Sequence, residues 1–250
     1  MKKENQIYGL RPVIEAIKSG KEIDKILFQK GLKGTIYNEL RTLAFNKNIA
    51  IQFVPVEKLN RITRKNHQGI VAYISLINYY NIEDILPMVY EKGEIPLFLI
   101  LDRITDVRNI GAISRTAECA GVQAIIIPDK GSAQINADAI KSSAGALHLV
   151  NIVKSRNLKN TIKYLKDNGI QIVACTEKSD DYYYSTDFTI PTAIIMGSEE
   201  NGISNDLLNI SDCKVKIPVK GEIESLNVSV ASAVIVYEAV KQRINSKIFK

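Results

Sequence analysis

Arg115 sits among Ala112, Ile113, Ala117 and Ala120, small and apolar residues where a solvated charge would keep polar company. A guanidinium in such surroundings needs an anionic partner, a phosphate or a carboxylate. Arg115 belongs to the first of three stretches that look like parts of one site: NIGAISRTAECAG from Asn109, GSEENGIS from Gly197 and ESLNVSVASAV from Glu224. Each sets small or polar residues just before an apolar helical run, and strand-to-helix turns of this kind form the crevice in which an α/β sheet collects its ligands. In the first stretch Asn109 can cap free N–H groups at a helix start, and Gly111 permits a close approach. The second stretch superficially resembles a phosphate loop. There Ile203 follows Gly202 where that loop requires Lys, so nucleotide hydrolysis is a poor reading and an ordinary strand-to-helix turn is the alternative. The third places Ser225 and Asn227 at a helix entrance, with Ser229, Ala231, Ser232 and Ala233 along a face that allows another helix to come close, within the chain or across a dimer.

The elements that must position these residues follow from periodicity. From Pro96 the order is strand LFLILD, a helix from about Gly111 to Ala120, strand AIIIP, a helix from Asp138 to Ala144 and strand LVNIV. A helix over Leu158 to Asn168, strands IQIVACT and TAIIMG, a short helix after Ser204, strand KVKIP and a terminal helix from Asn227 to about Arg243 come next. Near-continuous apolar strands alternating with helices predict a mainly parallel sheet covered on both faces. Before it, a helix from Leu10 to Ser19-Gly20, strand IDKILF, a helix from Tyr37 to Asn46, strand IAIQFV, a helix near Val56 to Arg64 and strand GIVAYI make a smaller α/β unit. The expected division is 1–75, a linker 76–94 with one helix made doubtful by Pro87, and 95–250.

Charge divides the chain in the same way. The first 80 residues hold 14 Lys or Arg against 6 Asp or Glu, and the remaining 170 hold 19 against 21. Basic charge is thus gathered in one unit and the candidate site in the other, as in a polyanion-gripping module attached to a chemical one. Lys58, Arg61, Arg64 and Lys65 form the densest basic cluster, with His67 and Gln68 beside it. It reads either as a solvated helix face or as a surface for an RNA backbone. Cys119, Cys175 and Cys213 are widely spaced and without CxxC, which argues against a disulfide framework and a zinc site. His67 and His148 have no cluster of ligands around them, so no metal centre is expected. The longest apolar runs, such as IPLFLIL from Ile95, fall short of the roughly 20 residues that span a bilayer, and MKKENQIYGL lacks a signal-peptide core. The expectation is a cytoplasmic chain with no membrane partner.

In this order and spacing the three motifs resemble those of the SpoU (TrmH) class of SPOUT methyltransferases, over about Pro96 to Arg243. YGLRPVIEAI and HQGIVAYIS look like the ribosomal-protein-like RNA-binding domain that precedes the catalytic domain in the RlmB type. The resemblance implies a trefoil-knotted sheet, a homodimer, S-adenosylmethionine as cofactor and methyl transfer to a ribose 2′-hydroxyl, with a guanosine of 23S rRNA as target. It also implies that Gly197, Ile217 and Leu226 lie on the loops that hold the cofactor, and that Asn109, Arg115, Glu199, Ser225 and Asn227 occupy active-site positions. One departure is Glu200, which stands where relatives often have Gly. A guanidinium stays protonated in proteins, so Arg115 is read as a clamp on a substrate phosphate and the proton acceptor is left open. The competing readings are a tRNA methyltransferase and a non-catalytic RNA-binding or ribosome-assembly factor.

Overall fold

The computed structural model describes residues 6–47, 49–223 and 225–248, with 247 and 248 by backbone only. Glu224, where the third motif begins, lies outside the described residues. The chain forms two compact units, 1–78 and 79–250.

The first unit runs β1 (Gln6–Tyr8), α1 (Leu10–Lys18), β2 (Ile23–Gln29), α2 (Thr35–Asn46), β3 (Ala50–Val54), α3 (Val56–Ile62) and β4 (Ile70–Ile74). Its four strands lie in the order β1-β4-β2-β3, antiparallel except for β2 and β3. The two faces of β2 alternate. Ile26 and Phe28 join Val13, Ile17 and Leu40 of the first two helices, while Leu27 meets Leu59 of α3 on the other side. Placing apolar residues at both parities is what a strand covered on both faces requires.

The second unit runs β5 (Tyr79–Tyr80), α4 (Ile82–Glu91), β6 (Leu97–Asp102), α5 (Val107–Cys119), β7 (Ala124–Pro128), α6 (Ala137–Ser142), β8 (Asn151–Ser155), α7 (Leu158–Asp167), β9 (Gln171–Cys175), β10 (Thr192–Gly197), α8 (Asn205–Leu208), β11 (Cys213–Val215) and α9 (Val228–Ile248). Its seven strands lie in the order β11-β9-β10-β6-β7-β8-β5, every neighbouring pair parallel. Phe98, Ile100, Ile126, Ile172 and Ile195 point to the face covered by α4, α7 and α8. Helices α5, α6 and α9 pack together on the other face. The α/β sheet with helices on both faces is the architecture expected from the sequence.

Residues 76–94, expected as a linker carrying one helix, do hold that helix, packed into the second unit, and add an edge strand. Ile82, Ile85, Leu86 and Val89 enter the main core, and that burial holds α4 together through Pro87. The proline sits on the exposed side, in the second turn of the helix, where its missing N–H removes the helical donor to the Glu83 carbonyl.

From β6 the chain runs outward to β7 and β8, then crosses back to lay β9 and β10 on the other side of β6. Such a reversal leaves a crevice at the carboxyl ends of the two strands it separates. Here those ends are Asp102 and Gly197, which are register partners. One strand farther out, Cys175 pairs with Met196 and Val215 with Cys175, so four strands deliver their following loops to one edge. At the opposite edge Arg243 of α9 donates to the carbonyls of Ile95, Pro96, Phe188 and Ile190 at 2.7–3.1 Å. Burial lowers its pKa to about 10, which leaves it charged at neutral pH. This clamp fixes the far part of the helix whose first residues stand at the crevice.

Candidate active site

Helix α5 starts earlier than its apolar pattern indicates. Asp106 accepts the Arg108 N–H at 2.7 Å and caps it, and the Arg108 hydrogen bonds hold the Asp106 carboxyl below its ordinary range. Asn109, expected at the cap, therefore lies within the first turn with its side chain available. Its amide donates to Glu199 Oε1 at 3.0 Å. Gly111 provides the close approach expected of it, toward α6: a Cβ there would lie 1.9 Å from Ser142 Oγ and 2.7 Å from the Ala139 carbonyl oxygen.

Asn227 does cap its helix. Its Oδ1 accepts the Ser229 N–H at 2.9 Å and the Ser229 hydroxyl at 2.6 Å. That leaves its Nδ2 to donate to Asn109 Oδ1 at 3.1 Å and to Glu199 Oε1 at 2.5 Å. Three residues from three motifs thus close a hydrogen-bonded triangle, with Glu199 Oε1 taking both amide donors and Oε2 taking none among the described residues.

The loop that presents Glu199 is tightly built. Ser198 and Gly202 exchange backbone hydrogen bonds of 3.2 and 2.9 Å, and Gly202 has φ +60°, which favours glycine. Gly197 lies so close under the turn that a Cβ would stand 2.2 Å from the Gly202 carbonyl carbon and 2.3 Å from Ile203 N. Two residues unremarked in the sequence brace the turn. Buried Asp102 accepts the Ser204 N–H at 2.7 Å and a two-pronged pair of hydrogen bonds from Arg103 at 3.1 Å each. Arg103 donates onward to the Gly202 carbonyl at 3.1 Å. Nothing in the periodicity of LFLILDR distinguishes these two from any other strand end.

Beside this cluster is a cavity of about 530 Å³ lined by Gly197, Glu199, Ile217, Ser225, Leu226 and Val228, among others. It contains all three residues expected on cofactor loops, together with Glu199 and Ser225. Cys175, Glu177 and Lys178 complete its wall and were not anticipated. Burial, with Glu177 adding to it, pushes the Cys175 thiol up to about 12, so it is a neutral wall and not a nucleophile. With apolar Met196, Ile217, Val219 and Leu226 and a few polar groups, the cavity falls in the size and character of sites for small organic cofactors.

Arg115 differs from expectation. It is exposed, lines neither this cavity nor its neighbour, and makes no hydrogen bond or ion pair among the described residues. The buried stripe of α5 is Asn109, Ile110, Ile113, Ser114 and Ala117, and Arg115 falls on the stripe of exposed Arg108 and Cys119. Its small neighbours leave it open to solvent.

In the first unit Lys58 and Arg61 lie on α3 and Arg64 and Lys65 follow it, all exposed. The Lys65 ammonium lies 5.4 Å from the Tyr8 ring and Lys25 4.9 Å from the Tyr73 ring. Burial, opposed by Asp24 and assisted by Lys58, lowers the Lys25 pKa. Lys25, Tyr8 and Tyr73 extend the basic cluster beyond its sequence neighbours. His67 is structural, with Nε2 2.9 Å from Asn60 Oδ1 and Nδ1 accepting the Gly69 N–H at 2.9 Å. Among the described residues no group of His, Cys, Asp or Glu suits a metal ion, and no helix is long and apolar enough to cross a membrane.

Residues 96–237 match the SpoU rRNA Methylase family and residues 6–80 match the RNA 2′-O ribose methyltransferase substrate binding family. Similar proteins include one from Staphylococcus saprophyticus named for the TrmH family of tRNA/rRNA methyltransferases, 36% identical over 237 residues, 95% of each chain. The similarly named YacO of Bacillus subtilis is 32% identical over 238 residues, again 95% of each. Among solved structures, the SpoU methyltransferase AviRb of Streptomyces viridochromogenes, crystallised with the cofactor AdoMet, is 26% identical with a TM-score of 0.62, over 96% of this chain and 90% of that one. The A. aeolicus TrmH/SpoU tRNA modifying enzyme is 31% identical with a TM-score of 0.57, over 67% of this chain and 86% of that one.

Proposed function

The chain belongs to the SpoU rRNA Methylase family, and from that premise we propose that it transfers the methyl group of S-adenosylmethionine to a ribose 2′-hydroxyl in RNA, a guanosine of 23S rRNA. The observation that carries this reading is the Asn109–Glu199–Asn227 triangle, whose Glu199 lines a cofactor-sized cavity. An AdoMet-bound structure of similar fold supports the choice of cofactor.

The loops of Gly197, Ile217 and Leu226 would hold S-adenosylmethionine, which supplies a methyl group already activated as a sulfonium. The protein's task is then to place a weakly acidic hydroxyl in line with that methyl and to receive its proton. Glu199 suits the second role. Both asparagine amides fix Oε1, and Oε2 is left to accept the 2′-hydroxyl proton as the oxygen attacks. Ser225 borders the same cavity and shapes the loop that carries Leu226. Arg115, exposed and unpaired, is suited to an RNA phosphate arriving from outside, where its planar fork can bind two oxygens. Lys58, Arg61, Arg64 and Lys65 hold the RNA backbone from the first unit.

The active form is a homodimer acting in the cytoplasm. Val230, Tyr237 and Ile244 recur every seven residues along α9 and remain about half exposed, an apolar stripe suited to a second copy.

The test is transfer of tritiated methyl from S-adenosylmethionine to 23S rRNA transcribed without modifications, followed by digestion to nucleosides. Label in a 2′-O-methyl nucleoside is expected. Label on a base, or no label in rRNA or tRNA by a protein that binds the donor, would overturn the reading.

A further inference from the structure

A second cavity, of about 280 Å³, lies against the first and is lined by Arg103, Thr105, Asp106, Asn109, Glu199 and Glu200, among others. The two share Ser198 to Asn201 and Val228 as a common wall. We propose that this second cavity receives the target nucleoside and that Arg103 and Glu200 read its base as guanine; the proposal rests on the methyl-transfer reading above. Its position across the Glu199 wall is where an acceptor must lie if the first cavity holds the donor. Its volume falls just below that of sites for drug-sized ligands, which suits one nucleoside and not a longer piece of RNA.

The polar groups select among occupants. Asp106 is taken by the Arg108 fork and Glu199 Oε1 by the two asparagines, so Glu200 is the lining carboxylate with no hydrogen bond among the described residues. Three carboxylates against one Arg that is already paired with Asp102 disfavour a phosphate in this cavity. They favour a ligand that brings donors. The Arg103 guanidinium is held in place: Nε and Nη2 are committed to Asp102 and Gly202, while Nη1 makes no hydrogen bond among the described residues. Arg103 also keeps φ +59°, a left-handed conformation that a side chain of its size rarely adopts. Backbone strain of this kind is kept where the surrounding structure requires one orientation, here the fork to Asp102 beside the cavity.

Guanine matches this pair of groups. Its N1–H and N2–H₂ are adjacent donors for the two oxygens of a carboxylate, and O6 and N7 are acceptors within reach of the one Arg103 nitrogen left over, Nη1. Adenine inverts the pattern, offering a lone pair at N1 to Glu200 and an amino group to Arg103. Cytosine also presents an acceptor where guanine has N1–H, and uracil has a single N–H between two carbonyls.

The experiment uses the full chain saturated with S-adenosylhomocysteine, which fills the donor cavity, and measures the binding of guanosine, adenosine, cytidine, uridine and inosine by ligand-observed NMR. Guanosine is expected to bind at least about tenfold more tightly than adenosine, with inosine in between because it lacks N2. Glu200→Gln, a change at an exposed loop tip, should bring the guanosine-to-adenosine ratio to within about threefold, since its amide can accept only one of the two N–H groups. Equal binding of guanosine and adenosine, binding of neither, or a preference unaltered by Glu200→Gln would overturn the proposal. Methyl transfer in the same preparation is a separate readout. Transfer to RNA without guanine preference overturns only the base-reading role, whereas guanine preference without transfer to any RNA overturns the methyl-transfer reading.

Discussion

Asn227 donates to Asn109 at 3.1 Å across 118 residues of chain, while its own carbonyl oxygen caps the helix that follows it. One side chain thus has two separable duties, and substitution can separate them. Ser is as good a cap as Asn but cannot reach Glu199 and Asn109 with an amide. Asn227→Ser should leave the melting temperature within about 2 °C of wild type, consistent with a cap change of only a few tenths of a kcal/mol. Methyl transfer should fall by at least about tenfold, as expected when a catalytic group loses its positioning. Asn227→Ala should cost about 1 kcal/mol in addition. Thermal melts read alongside transfer rates distinguish the two. A Ser variant with full activity would remove the triangle from the mechanism.

Glu199→Gln preserves shape, and its carbonyl oxygen can still accept from both asparagine amides. Fold and donor affinity should therefore persist. What it lacks is a group able to take the 2′-hydroxyl proton, and general-base contributions are typically about 10²–10⁴-fold. The expected result is a fall of about 10² or more in single-turnover transfer rate. A rate within about threefold of wild type would assign the proton elsewhere, since general-base contributions are far larger.

Gly197→Ala places a methyl group against backbone, 2.2 Å from the Gly202 carbonyl carbon, where no side chain can swing aside. The 198–203 turn must move, and with it the wall of the cavity proposed for the donor. Titration calorimetry with S-adenosylhomocysteine should show affinity reduced by at least about tenfold, the equivalent of about 1.4 kcal/mol. Unaltered affinity would mean that the turn is not part of the donor site.

The sequence made some of these relations legible and not others. Apolar runs of both parities revealed a sheet with two covered faces, and small or polar residues at strand ends marked Gly197 and Asn227, whereas Ile217 and Leu226 came only from the family resemblance. Two kinds of information were missing. Strand register is nonlocal, so nothing near Asp102 indicates that it lies beside Gly197 and holds the second motif's turn through Ser204. Side-chain direction also depends on what covers a helix. Among alanines, Arg115 looks enclosed, yet the packing of α5 consumes the stripe through Ile110, Ile113 and Ala117 and leaves Arg115 on the open side. Pro87 made a long helix in the 76–94 segment look doubtful because local propensity outweighed four apolar residues at helical spacing.

Arg115 tests the consequence of that exposure. A residue outside the donor cavity should not affect donor binding, so Arg115→Ala should match wild type in calorimetry with S-adenosylhomocysteine. Transfer to RNA should be nearly abolished if it clamps a substrate phosphate. Arg115→Lys keeps the charge but not the two-pronged geometry and should also be poor. Turnover close to wild type in the Ala variant would remove Arg115 from the reaction.

The basic cluster of the first unit makes a prediction of a different kind, because phosphate contacts are recognised by their salt dependence. Each contact with a single strand contributes about 0.7 to the slope of log affinity against log salt. Lys58, Arg61, Arg64 and Lys65 are exposed and contribute little to either core, so replacing all four with Ala should leave the melting temperature close to wild type. If each meets a phosphate, the slope for an rRNA fragment should decrease by about 3, while S-adenosylhomocysteine affinity stays unchanged. A slope equal to that of the wild type would show the cluster to be a solvated helix face.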